Sequence, residues 1–315
     1  MTAPTPPFSA LPPGLSPSQR ADLRFRGALK THGLPLALRA YGRLAPAPHR
    51  RLHVYGVGLP KTGTHSIANL FDGHYRADHE ARAVLTMLHL LRWLRGEVSD
   101  EAAMQMLRGR DRYLDLEVEA AHFLAFPAGL LARLYPEARF VLTIRDPYTW
   151  LNSSVTQSIR TYNSTHPNRA VWLALADHRY GRRGFEYAPE EAPLRGHGGV
   201  YPVRSYLDYW VWHIEHVLRS VPERRLFVLR TPEIKPRAGD LARWLGVPEE
   251  TLSLEQAHAF ARPVKPVDVF DVLPADFIEA EVQRQCGPLM ERFFPEIRSL
   301  DDARARGKPP RASAS

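Results

Sequence analysis

Lys61, Thr64 and Ser66 are the side chains in this sequence whose types and spacing best suit holding a phosphate. They lie in the stretch LHVYGVGLPKTGTHSI, residues 52–67. Leu52, Val54, Tyr55 and Val57 form a short apolar, β-prone run that ends at Gly58. Gly58 and Gly63 permit the backbone angles of a tight turn. Residues 64–72 then read as a helix, whose first turn presents unpaired N–H groups and the positive end of its dipole. Strand, turn and helix in that order aim backbone donors, one ammonium and two hydroxyls at an anion. The pattern departs from the nucleoside-triphosphatase loop G-x-x-x-x-G-K-[ST]. Here lysine precedes Gly63 by two positions and Thr64 fills the usual lysine slot.

A second segment has the same design. The apolar run RFVLTI at 139–144 is followed at once by Arg145-Asp146-Pro147 and a helical stretch over 148–161. Asp146 suits the N-cap and Pro147 the first helical turn. Arg145 then stands at the carboxyl end of a strand, where open α/β sheets bind ligands. Ser153 follows eight residues later, with Ser154 as its neighbour.

Taken together, G-x-P-K-T-G-T at 58–64 and R-D-P-x-x-x-x-x-S at 145–153 resemble the two nucleotide-binding elements of sulfotransferases that use 3′-phosphoadenosine 5′-phosphosulfate (PAPS). The resemblance implies a P-loop-like α/β fold, a parallel sheet flanked by helices, with PAPS as co-substrate and PAP as product. It implies that Lys61 stabilises the departing phosphate oxygen. The backbone N–H groups of Thr62, Gly63, Thr64, His65 and Ser66, with the Thr64 and Ser66 hydroxyls, would hold the 5′-phosphate, and Arg145 and Ser153 the 3′-phosphate. It extends weakly to a strand at 226–229, to LARWLGVP at 241–248, and to HAFARPVK at 258–265. That last run makes Arg262 and Lys265 cofactor candidates. Thr231-Pro232 stands where the family has tyrosine-glutamate.

Sulfuryl transfer also needs a base for the acceptor proton. The matching position is Asp78-His79-Glu80, with Glu80 as first choice and His79 as rival; partial desolvation would raise the Glu80 pKa towards neutrality. Asp115, Glu117 and Glu119 alternate along an expected strand at 113–118, which puts the acids on one face. On that reading Glu117 contacts the acceptor or the base, with Asp115 beside it as a substrate-binding candidate. His53, His65, His74, His79, His89 and His122 show no metal-ligand spacing, so no metal site is expected.

The rest of the chain bounds the function class. It has 315 residues, 42 Lys+Arg against 34 Asp+Glu, and a formal charge of +8. Without a zinc-finger or ribonucleoprotein signature, nucleic acid is not the expected partner. Cys286 is the one cysteine, which rules out an intrachain disulfide. Nothing resembles a signal peptide or membrane span, so the reading places the protein in the cytoplasm. Residues 1–20 read as a disordered proline-rich segment, 21–50 as a helical extension, 51–300 as the α/β domain, and 301–315 as a flexible basic tail. The Gly/Pro-rich loop at 181–201 reads as a lid or binding segment, and 205–218 as an aromatic helix. The acceptor stays open among a small molecule, glycan or lipid bearing a hydroxyl or amine. An atypical P-loop kinase and a non-catalytic nucleotide- or nucleic-acid-binding protein are the alternatives.

Overall fold

A computed structural model of the chain describes residues 37, 38, 41, 44, 46–181, 185–255 and 266–307. Five short strands form one sheet: β1 (Val54–Gly56), β2 (Ala77–His79), β3 (Val118–Ala120), β4 (Arg139–Ile144) and β5 (Leu226–Arg230). Their order is β2-β3-β1-β4-β5 and every pairing is parallel. The helices that matter below are α1 (Thr64–Phe71), α2 (Ala83–Leu94), α3 (Asp100–Leu114), α4 (Ala128–Leu134), α5 (Pro147–Tyr162), α6 (Arg169–Tyr180), α7 (Val203–Ser220), α8 (Ala238–Leu245), α9 (Ala275–Phe293) and α10 (Leu300–Gly307).

The strands read as continuous apolar runs because both faces of the sheet are covered. Successive residues point to opposite sides. On β4, Phe140, Leu142 and Ile144 enter the larger core with α4, α5 and α7, whereas Val141 joins Ile67, Leu70 and Phe71 of α1 and Leu241 of α8 on the other side. Val54 and Tyr55 divide in the same way on β1. Parallel order with right-handed crossovers leaves the strand carboxyl ends together at one edge.

Three expectations from sequence need correction. The strand expected at 113–118 is instead the end of a helix followed by a later strand. α3 runs to Leu114, Asp115 closes it in a left-handed conformation (φ 51°), and β3 starts at Val118. The helix wins because Met106, Leu107 and Arg110 are buried at helical, not alternating, spacing. Residues 301–307, expected within the basic tail, belong instead to α10, where Leu300 and Ala303 pack into the core. The 181–201 segment includes a turn at Pro189–Glu191 and a short helix at Ala192–Arg195. Residues 1–20, 308–315 and the Arg262–Lys265 candidates lie outside the described residues. No helix among the described residues is long and apolar enough to cross a membrane.

Candidate active site

In a sheet of order β2-β3-β1-β4-β5 the chain leaves β1 towards one side and β4 towards the other. The crevice between those two strand ends is a topological switch point, where open α/β sheets place their ligands. The loop after β1 carries Lys61 to Ser66, and the turn after β4 carries Arg145. Both open on one cavity of about 1140 Å³, which Lys61, Gly63, Thr64, His65, Ser66, Arg145, Ser153 and Ser154 help to line.

Each loop is tied to the core by an indole. Trp150 Nε1 donates to the Pro60 carbonyl (2.8 Å), and Trp210 Nε1 donates to the Arg145 carbonyl (2.9 Å). His213 Nε2 donates to the Val57 carbonyl (2.8 Å) and its Nδ1 accepts from Tyr209 (3.0 Å). Burial lowers the His213 pKa to about 3, so it stays neutral and holds β1 in place. Thr62 is fully buried rather than turned to a ligand. Its hydroxyl lies 2.7 Å from the Leu59 carbonyl, 2.9 Å from the Thr143 carbonyl and 2.8 Å from Thr143 Oγ1. Only the Thr62 backbone is therefore left for an anion. A Cβ on Gly58 would stand 1.8 Å from Thr143 Oγ1. Gly58→Ala is expected to cost about 1–3 kcal/mol, read from denaturant unfolding; an unchanged midpoint would show that the Thr62–Thr143 clasp yields freely.

Gly63, the N-cap of α1, has φ 96°, a region natural to glycine. A Cβ there would also meet Ile234 Cδ1 at 2.5 Å. On the other loop, Asp146 caps α5 by accepting from Thr149 N at 2.8 Å, and it also pairs with the Thr149 hydroxyl. Arg145 Nε donates to that hydroxyl (2.8 Å), which fixes the guanidinium at the cavity wall. Burial lowers the Arg145 pKa, with Asp146 opposing, the signature of a desolvated cation. Ser153 lines the same wall, and beside it the Ser154 hydroxyl is buried with no hydrogen-bond partner. A partly desolvated guanidinium next to an orphaned hydroxyl suits a phosphate.

Glu80 and His79 also line the cavity. Glu80 adopts φ 57° and Lys61 φ 67°. These are two of the four non-glycine residues at positive φ among the described residues, and such strain collects at functional sites. Burial raises the Glu80 pKa from 4.5 to about 7, against the opposing pull of Arg179 and Lys61. His122 Nε2 lies 3.4 Å from Glu80 Oε1, and burial holds His122 well below its ordinary pKa. Its Nδ1 has no partner. An orphaned acceptor costs less than an orphaned N–H here, which favours the tautomer with the proton on Nε2, facing Glu80. His79 Nε2 is engaged with Thr64 Oγ1 (3.0 Å), and its ring lies 4.6 Å from that of His65. Burial and His65 together lower the His79 pKa to about 4.

Asp115 and Glu117 are not brought to this cavity. They precede β3, at the end of the sheet opposite the strand carboxyl termini. Glu117 accepts from Arg51 Nη2 (2.8 Å) and from the Arg76 backbone N–H (3.0 Å), contacts that lower its pKa to about 2. Asp115 pairs with Arg76 across 3.3 Å, and Glu119 pairs with buried Arg110. All three are structural ion pairs. Conversely, Arg179, Trp172 and Lys235 line the cavity although no motif marked them. The available signal lay in α6: Trp172, Ala176 and Arg179 recur at helical spacing, and a charge on that stripe is out of place.

Parallel strands, glycine-bounded loops and helix N-termini gathered at the switch point define a P-loop-like α/β fold. A family model for the sulfotransferase domain matches residues 53–249, and the chain belongs to that family. Among solved structures, it is similar to sulfotransferase STF9 from Mycobacterium avium, with 15% identity, a TM-score of 0.51, and coverage of 90% of this chain and 88% of that one. It also matches a sulfotransferase from Alicyclobacillus acidocaldarius, with 17% identity, a TM-score of 0.43, and coverage of 81% and 99%. The sulfotransferase domain from the curacin biosynthetic pathway matches at 12% identity, with a TM-score of 0.33 and coverage of 67% and 80%. None of the curated proteins matches the sequence.

Proposed function

We propose that this sulfotransferase-family chain moves the sulfuryl group of PAPS to a hydroxyl or amine of a small-molecule, glycan or lipid acceptor. The observation that carries the reading is the convergence of two segments whose motifs suit phosphates, 58–66 and 145–154, on one cavity at the β1/β4 switch point. A donor with phosphates at both ends needs two such anchors; a nucleoside triphosphate needs one. In the transfer, an acceptor oxygen forms a bond to sulfur while the bond from sulfur to the 5′-phosphate oxygen breaks, releasing PAP. Lys61 neutralises the charge gathering on that oxygen. Amides of residues 62–66 at the α1 N-terminus hold the 5′-phosphate. Arg145 and Ser153, with Ser154 beside it, hold the 3′-phosphate. Glu80 takes the acceptor proton, and His122 keeps its carboxylate oriented.

Calorimetric titration with PAP, 5′-AMP and ADP in EDTA tests the nucleotide assignment. PAP is expected to bind at least about tenfold more tightly than 5′-AMP, and Arg145→Ala to erase that difference. ADP binding as tightly as PAP would overturn the reading in favour of a kinase-like site.

A further inference from the structure

Arg179, near the carboxyl end of α6, is 8% exposed. Its Nε donates to the Leu175 carbonyl of its own helix (3.3 Å), and its guanidinium stacks near the rings of Tyr180 (5.4 Å) and Tyr209 (5.8 Å). Yet no described carboxylate lies within ion-pairing distance of it. Arg110, likewise buried, has Glu119 as its partner. Burying a guanidinium is costly unless an anion completes it. The Nη1/Nη2 edge left by the Nε bond is the edge that pairs bidentately with a carboxylate.

The place of Arg179 distinguishes it from the nucleotide anchors. It lines the main cavity, and with Tyr180 it also lines a second cavity of about 520 Å³ between α6, α7 and α9, whose walls include Ser205, Trp212 and Arg284. Neither phosphate-binding segment reaches that second cavity. Within the main cavity, the Arg179 charge is felt by Glu80 and His122, so an anion seated on it lies beside the base. Trp172 and Tyr201 supply apolar walls there.

We infer that the acceptor is a hydroxy acid: its carboxylate pairs with the Arg179 fork, its apolar body lies against Trp172 and Tyr201, and its hydroxyl is presented to Glu80. This deepens the sulfotransfer reading and rests on it only for the fate of the hydroxyl. Arg179 is a specificity residue of the acceptor end, and the reaction that supplies this substrate leaves a free acid.

The test is direct binding. Hydroxyphenylacetate, hydroxyphenylpropanoate and an ω-hydroxy fatty acid are each titrated against their primary amides, with PAP titrated in parallel. At least one acid is expected to bind about tenfold more tightly than its amide. Arg179→Gln removes that preference, and Arg179→Lys keeps a reduced one, because the charge survives without the fork. Melting curves show that the variants are folded. Amides binding as tightly as acids across the panel, or an undiminished preference in either folded variant, overturns the inference; the wild-type comparison decides alone if neither variant folds. Absent PAP binding with an Arg179-dependent acid preference overturns the nucleotide reading and supports this one. PAP binding without acid preference does the reverse.

Discussion

Lys61→Ala is expected to lower turnover by about 10²–10³-fold while PAP still binds, because the ammonium acts mainly on charge that appears as the sulfur–oxygen bond breaks. The backbone offers a control. Lys61 sits at φ 67°, a conformation that costs a non-glycine residue about 1 kcal/mol or more. Alanine retains that strain and glycine relieves it. If the ammonium is the active group, Lys61→Ala and Lys61→Gly lose turnover equally although their melting temperatures differ. Single-turnover rates would show it. Retention of near wild-type rates by either variant would sink the role of Lys61.

Glu80→Gln is expected to lose about 10²–10⁴-fold in turnover and to gain stability at alkaline pH. The sign follows from the raised pKa. Below pH 4.5 the carboxyl is protonated in both folded and unfolded chains, and its burial carries no ionisation penalty. As pH rises from 4.5 through about 7, the unfolded chain releases the proton first, so the folded state loses stability. The loss saturates near 3 kcal/mol, roughly 1.4 per pKa unit. Glu80→Gln removes it, and the variant should exceed the wild type at pH 8 but match it at pH 4 in denaturant unfolding. Activity runs the opposite way. With Glu80 as base, kcat/KM climbs with pH to a plateau above about 7. A rise complete by pH 5 would point instead to His79, whose pKa lies at about 4.

The parts of the site that were legible in the sequence are those built locally. Strand, glycine turn and helix start are neighbours in the chain, so the loop from Lys61 to Ser66 and the place of Arg145 follow from spacing, whereas Ser153 follows only from the family resemblance. The Asp146 cap was readable from spacing as well. Asp115 and Glu117 misled because an alternating run of acids also fits a helix terminus followed by a strand. What decided the matter was Arg51 and Arg76, which arrive from other segments and consume the carboxylates. Arg179 and His122 were opaque for the converse reason. Nothing near them in sequence says that α6 and the segment after β3 meet at Glu80. Thr62 shows a further limit: spacing offers its backbone N–H to an anion, but that its hydroxyl is spent on Thr143 only tertiary packing could reveal.

The Thr231 hydroxyl closes the site with contacts that form late in folding. Thr231, which lines the cavity beyond β5, bonds through Oγ1 to the Thr62 carbonyl (2.8 Å) and reaches the Ile144 carbonyl (3.1 Å), joining positions 169 and 87 residues apart. Contacts of such separation form late, after most loop-closure entropy has been spent. During synthesis, then, a chain stopped short of β5 has both phosphate motifs and no clasp between them. Ligand added to a refolding mixture should not hasten the early steps. It should act only at the end, by slowing the return journey of chains that have closed.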